Sequence, residues 1–537
     1  MRRAAPLFLL MLLPSVAAAR DPTIETAMKD ELARTLKELR IESHAGPYFV
    51  AFRLWDRASL QVSATLGALV ASDSETARPF SAEVRVGTPE FDNTNFVGGG
   101  GWVPEKATTI EADYHAIRHD FWSVTDEAYK AAVETLSRKQ AAFENRLRTE
   151  GLPDFGPADP VESRDPAVDL DLDPGRWEAL ARRLSAVFRR FPEFHRSSAG
   201  VRLTRQDDYL VTSEGTCLIE PAHILVIGIE AETQAADGMV LADATAVVVS
   251  LPDHLPPEAA LAAEAEDLAR RLSATRTAPV LDDYAGPAVF EPQAAAEVVL
   301  AVLARAFASN RPPESGRGES SLPAGPFQNR IGGRVLPRSF SVVDDPTAVA
   351  WEGTRLMGSY RYDDEGVPGR KVTLVEGGIL KTLLTSRTPQ RKLPLSNGHG
   401  RGRTGRPAIA NLFVDAKDGL SAADLKARLL DEVELRGLPY GIVVRRMAGL
   451  TPTSVFRVFP DGREERVRGA QLQDMNHQAF KDILATSSRR YAHQVQQGDA
   501  VQGASVVTPS LLFEDVTFKR RQGPFPKLPI APRRQVP

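Results

Sequence analysis

Residues 288–307, AVFEPQAAAEVVLAVLARAF, decide where the chain divides and where a functional site is expected. Pro292 stands where the first turn of a helix tolerates proline, because the amide hydrogen that proline lacks has no partner there. Apolar side chains then recur every four residues and predict one inward-facing surface. They are Val299, Leu303 and Phe307. Glu297 lies close to that surface, and from these residues alone we predict a packing helix.

The patterns on the two sides of this helix differ, and together they predict an α+β fold of two domains. Before it, alternating strand segments are interrupted by helical patterns, the longest at 113–147. After it, the chain is mostly strand-like, with a hairpin signal at 376–378. We therefore predict a signal peptide (1–19), an N-terminal domain built as a mixed α/β layer with antiparallel strands (20–277), a strand-rich C-terminal domain opened by a helix (278–518), and a basic, proline-rich, unstructured tail (519–537).

The first residues, MRRAAPLFLLMLLPSVAAARD, are typical of a secretory signal. Arg2 and Arg3 precede an apolar run at 7–13, and three alanines follow at 17–19. The run is shorter than the roughly 20 residues that a bilayer-spanning helix needs, and no later segment is apolar over that length. The sequence therefore predicts an exported protein, periplasmic or extracellular, without a transmembrane segment.

Composition and cysteine content exclude several classes of function. The chain has 66 basic and 70 acidic residues and a net charge of −4, which gives no electrostatic reason to expect a nucleic-acid partner. Cys217 is the only cysteine, so the chain has no intramolecular disulfide bond and no Cys-x-x-Cys motif. The strings His-Glu-x-x-His, Gly-x-Ser-x-Gly and Gly-Lys are also absent. The usual zinc-protease, serine-hydrolase and phosphate-loop motifs are therefore missing.

Three polar clusters admit both a chemical and a structural interpretation. His115 and His119 lie four residues apart on a predicted helix, with Glu111 nearby, which suits a metal and is also typical of an exposed helix. Residues 396–406, SNGHGRGRTGR, place basic side chains on a glycine-rich backbone that suits carboxylate binding or a solvated loop. Residues 363–366, DDEG, concentrate carboxylates, which suits the binding of a hard cation or a shifted proton affinity and is also typical of turns.

Several stretches resemble the TldD/PmbA metallopeptidase family. They are TSEGTC at 212–217, DDEGVPGRKVTLVEGGILKTLLTSR at 363–387, SNGHGR at 396–401 and VVTPSLLFEDVTF at 506–518. The resemblance covers most of the chain after the signal and is clearer in the C-terminal half. It implies two TldD/PmbA-like α+β domains, dimers with a large enclosed cavity and, in the active branch of the family, proteolysis of peptides or small proteins.

The active branch carries His-Glu-x-x-x-His on the helix that opens the second domain, with a cysteine near the C-terminus as a further zinc ligand. The register of the resemblance places Pro292 and Glu297 at the histidine positions and Gln293 at the glutamate. No histidine occurs in 255–398, and no cysteine follows Cys217. Zinc hydrolysis needs about three protein ligands and an acid/base group beside the bound water. We therefore expect no zinc or other cofactor, as in the PmbA-like branch, whose members accompany active partners.

These observations support three hypotheses. The first is an exported protein without the family zinc site that binds a peptide or an unfolded protein segment, or serves as a subunit of a homodimer or of a heterodimer with a family member. The residues expected to bind the peptide are Gln293, Asn397, His399 and Arg401. The second is an active peptidase with a non-standard metal or acid/base site, whose candidate residues are Glu297, Asp364, Glu365 and His399. The third is a structural envelope protein whose cavity is filled by side chains.

Overall fold

The structure is a computed structural model that describes residues 20–41, 44–98, 105–144, 151–315, 325–402, 404–496, 501 and 503–527. The predicted signal peptide, 1–19, lies outside the described residues. The fold is α+β, as predicted, and is built on two large sheets. Among the helices of the described residues, none combines the length and the apolar composition that crossing a membrane requires.

An eight-stranded sheet forms the N-terminal half, with its main strands in the order β10-β9-β8-β1-β3-β6. Neighbouring strands are antiparallel except that β7 runs parallel to β9. The strands of this half, including the separate β4–β5 hairpin, are β1 (Phe49–Thr65), β2 (Ala68–Ala77), β3 (Pro79–Arg85), β4 (Gly87–Thr88), β5 (Phe91–Asp92), β6 (Lys106–Ala107), β7 (Glu162–Arg164), β8 (Phe194–Thr212), β9 (Cys217–Gln234) and β10 (Val240–Val249). Apolar and polar residues alternate in the second half of β1, where Leu60 and Val62 are buried and Gln61 between them is exposed, because successive side chains of a strand point to opposite faces of the sheet.

Four helices accompany this sheet. They are α1 (Pro22–Glu38), α2 (Tyr114–Phe143), α3 (Pro174–Ala186) and α4 (Glu258–Thr277). An aspartate caps three of them, as in α2, where the Asp113 side chain accepts a hydrogen bond of 2.7 Å from the Ala116 amide. Apolar residues of α3 and α4 pack on β1, β8 and β9 around the buried Trp177. The helices therefore supply the core on one face of the sheet.

An eleven-stranded mixed sheet forms the C-terminal half, with its main strands in the order β16-β15-β12-β19-β25-β11-β20-β21-β22. Strand β25 is central to this sheet, because it pairs with four other strands, β11, β19, β23 and β24. The strands of this half, including two short separate hairpins, are β11 (Tyr284–Phe290), β12 (Phe340–Asp344), β13 (Ala350–Trp351), β14 (Thr354–Arg355), β15 (Val372–Glu376), β16 (Ile379–Leu380), β17 (Gly400–Arg401), β18 (Arg406–Pro407), β19 (Asn411–Ala416), β20 (Gly441–Ala448), β21 (Thr451–Val458), β22 (Glu464–Val467), β23 (Ala470–Gln473), β24 (Ile483–Gln496) and β25 (Gly503–Arg520).

The predicted helix after residue 288 begins at Pro292, as its sequence indicates. It runs through α5 (Pro292–Val298), a π-helical segment (Val299–Ala304) and α6 (Arg305–Phe307). The predicted inward-facing residues are all buried, and α5 packs against β20, β24 and β25. The backbone hydrogen bonding of the π-helical segment differs from that of the regular α-helix that the sequence predicts. The last helix of the described chain is α7 (Ala422–Leu435).

The tail is ordered further than the sequence predicts. Strand β25 continues to Arg520, and Arg521 then donates a backbone hydrogen bond of 2.7 Å to the carbonyl of Gly469. Beyond it, Phe525 packs against the apolar core of the N-terminal half, and the Pro526 carbonyl accepts a hydrogen bond of 3.2 Å from the Gln234 side chain. Several residues of 519–527 thus have strand and core partners far away in sequence, although 521–527 form no helix or strand, and the rest of the predicted tail, 528–537, lies outside the described residues.

Candidate functional site

The side chain of Gln293, on the first turn of α5, forms two hydrogen bonds with the backbone of strand β20. Its side-chain oxygen accepts a hydrogen bond of 2.8 Å from the Met447 amide, and its side-chain nitrogen donates one of 2.9 Å to the Met447 carbonyl. The pairing of β20 with β21 shifts register on both sides of Arg446, so the backbone there departs from a regular ladder. The Gln293 amide thus satisfies both backbone groups of Met447 beside this irregularity.

Glu297 lies one turn further along α5 and forms a pair with a histidine that the sequence analysis missed. Its Oε1 accepts a hydrogen bond of 3.2 Å from the Gln293 side chain and lies 3.3 Å from Nε2 of His493 on β24. The side chains of Glu297 and His493 are 16% and 24% exposed, so the pair is within reach of a ligand. No local signal in the sequence marks this histidine, because only the pairing of β24 with β25, which places His493 opposite Val506, brings it to α5.

These residues do not fit the family zinc ion. Pro292 has no donor side chain, and the amide of Gln293 is occupied by Met447. Glu297 and His493 then supply two donors, fewer than the three protein ligands of a catalytic zinc site. Across the part of the chain that the structure describes, no group of three or more histidine, cysteine, aspartate or glutamate side chains is arranged to hold a metal ion.

The turn at 363–366 uses its first carboxylate to shape the backbone. Asp363 is 2% exposed, and its Oδ1 accepts hydrogen bonds of 3.0 Å and 2.9 Å from the amides of Glu365 and Val367. Its Oδ2 accepts one of 2.9 Å from the amide of Gly400. Burial raises the pKa of Asp363 to about 6, against the lowering effect of these backbone hydrogen bonds. Asp363 therefore joins the turn to the neighbouring glycine-rich loop.

The next two carboxylates reach in different directions. Asp364 lies 3.4 Å from the Arg401 guanidinium, and its carbonyl accepts a hydrogen bond of 3.3 Å from Arg53 of the N-terminal sheet. Glu365 accepts a hydrogen bond of 2.7 Å from the backbone amide of Arg387. Burial, with Asp363 adding to it, raises the pKa of Glu365 to about 8. Both residues thus belong to the contact between the two halves of the chain.

Two carboxyl groups of the N-terminal sheet face the same region. Asp208 on β8 and Glu220 on β9 are directly opposite each other in the sheet. Burial raises the pKa of Asp208 to about 7, with Asp364 as the next cause, and burial with Asp165 raises the pKa of Glu220 to about 7. No sequence signal marks these two residues, because only strand pairing brings them together.

The predicted peptide-binding residues of the loop at 396–401 make internal contacts. His399 is fully buried, with Nε2 at 3.1 Å from Oδ1 of Asp344 and Nδ1 at 3.0 Å from the Asn397 side chain. Asn397 in turn donates a hydrogen bond of 2.9 Å to the Leu383 carbonyl. The guanidinium of Arg401 lies 4.2 Å from the centre of the Tyr360 ring, beside Asp364. The role of these side chains in binding stays a prediction.

The structure does not join the candidate acid/base residues into one group. Glu297 contacts Gln293 and His493, whereas Asp364 and Glu365 contact the loops that follow them and the N-terminal sheet. Within the described ranges, Glu297 shares no hydrogen bond or ion pair with either carboxylate. The three candidates therefore belong to two separate sets.

The histidines at the start of α2 lie on its exposed side. The His119 side chain is 70% exposed, with Nδ1 at 3.6 Å from Asp120, and its ring centre lies 5.6 Å from that of Trp122. His115 is exposed as well and packs edge-on against Tyr114. Among the residues described, they belong to no group of three metal-binding side chains.

Comparison with known proteins gives matches in sequence and in fold. Residues 284–520 match the family described as PmbA/TldA metallopeptidase C-terminal domain. A metalloprotease of Methanocaldococcus jannaschii is 38% identical over 96 residues, which are 17% of this chain and 20% of that protein. The metalloprotease TldD homolog of Buchnera aphidicola subsp. Acyrthosiphon pisum is 37% identical over 124 residues, which are 23% of each protein. The chain thus spans about a fifth to a quarter of the length of these curated relatives.

The fold comparison extends over nearly the whole chain. The crystal structure of TldE from Thermococcus kodakarensis superposes with a TM-score of 0.61 at 12% identity, over 92% of this chain and 100% of that one. This likeness shows a shared fold. The fold match covers both halves, whereas the family match covers the C-terminal half, which contains α5, the turn at 363–366 and β24.

Proposed function

Because this chain belongs to the TldD/PmbA metallopeptidase family, we propose that it is an exported member that works without the family zinc ion and binds a peptide or an unfolded protein segment. It does so by itself or as a subunit of a dimer with a second copy or another family member. The observation that carries this proposal is the arrangement on α5. Gln293 is committed to Met447, and Glu297 faces His493 where the resemblance places the zinc ligands.

The surroundings of this pair suit an extended peptide. Strand β10 is the end strand of the N-terminal sheet and approaches β24, which carries His493. An end strand offers N–H and C=O groups to an extended peptide, and alternate peptide side chains then meet the surface beside it. The partly exposed Glu297 carboxylate adds an acceptor for a peptide amide or for a free amino terminus.

Metal analysis combined with a degradation assay tests the absence of zinc. The protein, purified without chelators, is expected to contain far less than one zinc ion per chain and to show no chelator-sensitive cleavage of an unfolded substrate. One zinc ion per chain together with chelator-sensitive proteolysis would overturn this part of the proposal. A peptidase relative added to the assay tests the subunit role, because a partner subunit should raise the cleavage rate.

Peptide binding is measured by fluorescence anisotropy with a labelled unstructured peptide. We expect Glu297→Gln to weaken binding by roughly tenfold, since the variant loses a charge-assisted hydrogen bond. Glu376→Gln is the matched control, because Glu376 is 68% exposed in a hairpin and pairs only with Lys381 at 3.0 Å among the described residues. Equal affinities of the two variants, or no binding by the wild type, would count against a peptide site at Glu297.

Mass spectrometry tests export. When the full-length chain is expressed in a bacterium, we expect the protein recovered outside the cytoplasm to begin at Arg20, after cleavage behind Ala19. Recovery of the uncleaved chain from the cytoplasm would contradict export.

The Glu297–His493 pair also favours a second candidate function, a peptidase that works by acid/base catalysis. A carboxylate beside an imidazole is a common arrangement for taking a proton from water and returning it to a leaving amine. In that case cleavage would resist chelators and fall by about 10²- to 10⁴-fold in His493→Ala. His195→Ala, on an exposed part of β8, is the control. Unchanged cleavage in His493→Ala would remove this candidate.

A further inference from the structure

Arg387, a buried arginine of the C-terminal half, makes several contacts with the N-terminal half. Arg387 is 2% exposed, and its guanidinium donates hydrogen bonds of 2.7 Å and 2.8 Å to the two carboxylate oxygens of Glu214. Its Nε donates one of 2.9 Å to the Gly156 carbonyl, and its own carbonyl accepts one of 2.7 Å from the Gly156 amide. The guanidinium also lies 3.8 Å from the centre of the Phe155 ring. We name these four residues the Arg387 clasp.

Glu365 holds the backbone from which this arginine extends. Its carboxylate accepts the hydrogen bond of 2.7 Å from the Arg387 amide, so it is one residue away from the clasp. It is also enclosed on both sides, because a Cβ atom at Gly400 or Gly405 would lie 2.3 Å from a Glu365 oxygen. The absence of side chains at these two glycines makes room for the carboxyl group.

Within the ranges that the structure describes, the charged groups around Glu365 leave it without an ion pair of its own. Asp363, Glu83 and Arg387 act on the Glu365 carboxyl directly. The charged groups that contact or neighbour these residues are Asp364, Asp208, Glu214, Arg53, Arg85 and Arg401. The arginines form ion pairs with other acids: Arg53 and Arg85 with Glu83, Arg387 with Glu214, and Arg401 with Asp364. Among the described residues, no ion pair forms to Glu365. An ionised Glu365 therefore adds an uncompensated negative charge at the junction.

We propose that Glu365 is a pH-sensitive latch, whose neutral form keeps the Arg387 clasp closed and whose charged form loosens the junction between the two halves. This inference goes beyond peptide binding and does not depend on it. Burial and Asp363 raise the pKa of Glu365 from its ordinary 4.5 to about 8. A raised acid pKa means that the closed junction prefers the protonated form. The contribution of Glu365 to the stability of the closed junction is therefore full below about pH 4.5 and is lost as the pH rises to about 8.

Hydrogen–deuterium exchange of the full chain tests the latch at the clasp itself. The peptides to follow contain the Gly156 and Arg387 amides, both of which are hydrogen-bonded at the junction. Wild type and Glu365→Gln are compared at the same pH, which cancels the intrinsic change of exchange rate. Because one proton is linked to opening, wild-type opening should rise by up to about tenfold per pH unit between about pH 6 and pH 8, while Glu365→Gln should stay closed.

The control and a second variant keep the test decisive. Glu376→Gln, in an exposed hairpin, should keep the wild-type pH dependence. Glu214→Gln weakens the other side of the clasp and should open the junction at every pH. The latch is refuted if the wild-type junction opens equally at about pH 6 and about pH 8, or if Glu365→Gln keeps the wild-type dependence of opening on pH.

Discussion

Two sets of ionisable residues in this molecule contain candidate acid/base groups, and they differ in what surrounds them. Glu297 and His493 form a pair at 3.3 Å with both side chains partly exposed. Asp363 and Glu365, in contrast, direct their carboxylates at backbone amides where the two halves of the chain meet. A carboxylate that accepts backbone hydrogen bonds fixes a loop, whereas one that faces an imidazole near the surface stays open to a ligand. The most family-like turn is therefore structural, and the helix without its histidines is the better place to look for function.

The largest effect should come from removing the clasp arginine. Arg387→Ala removes the hydrogen-bond donors of Glu214 and of the Gly156 carbonyl at the buried junction between the two halves. We therefore expect the free energy of unfolding to fall by about 3 kcal/mol. Denaturant unfolding measures the loss. Arg489→Ala, an exposed arginine on β24, should change stability by less than about 0.5 kcal/mol. Equal effects of the two variants would mean that the junction does not depend on Arg387.

Two histidines sharpen the comparison further. His399→Ala removes a fully buried ring from Asp344 and Asn397, and we expect a loss of about 2 kcal/mol in the free energy of unfolding. His493→Ala removes a partly exposed partner of Glu297 and should cost less than about 1 kcal/mol. Peptide binding should show the opposite order, with the larger loss in His493→Ala. If both assays rank the variants alike, the division into a structural and a functional set is wrong.

Local signals in the sequence were enough to place most helices and the main strands. Pro292 marks the start of α5, because a proline fits the first turn and the residues that follow favour a helix. The same local reasoning failed where packing decides. In α1, Met28 and Leu32 are buried, whereas Leu36, which continues the same apolar period, is 42% exposed. The π-helical segment Val299–Ala304 also went unpredicted, although Val299 and Leu303, which the four-residue period places inward, are buried.

The candidate site was predictable only in part. Glu297 and Gln293 were found because the resemblance fixes their register on a single helix. His493 was missed because its approach to Glu297 depends on the pairing of β24 with β25, which the residues of β24 do not reveal by themselves. The burial of Glu365 was also hidden, since it arises from two glycines about 35 to 40 residues away in the sequence. Long-range contacts therefore decide which polar residues are accessible.

A smaller effect than that of His399→Ala is predicted for Gln293, which lies between the two kinds of environment. Gln293→Ala removes both hydrogen bonds to Met447, so we expect a loss of about 1 kcal/mol in the free energy of unfolding. Gln293→Glu, which restores the residue type of the active branch, should cost more, because a carboxylate accepts from the Met447 amide but only repels its carbonyl. Denaturant unfolding compares both with Gln471→Ala on an exposed part of β23. If Gln293→Glu were as stable as the wild type, the amide would not be needed at Met447. The helix would then have kept the ability to carry the family glutamate, and the proposed absence of zinc would rest on the missing histidines alone.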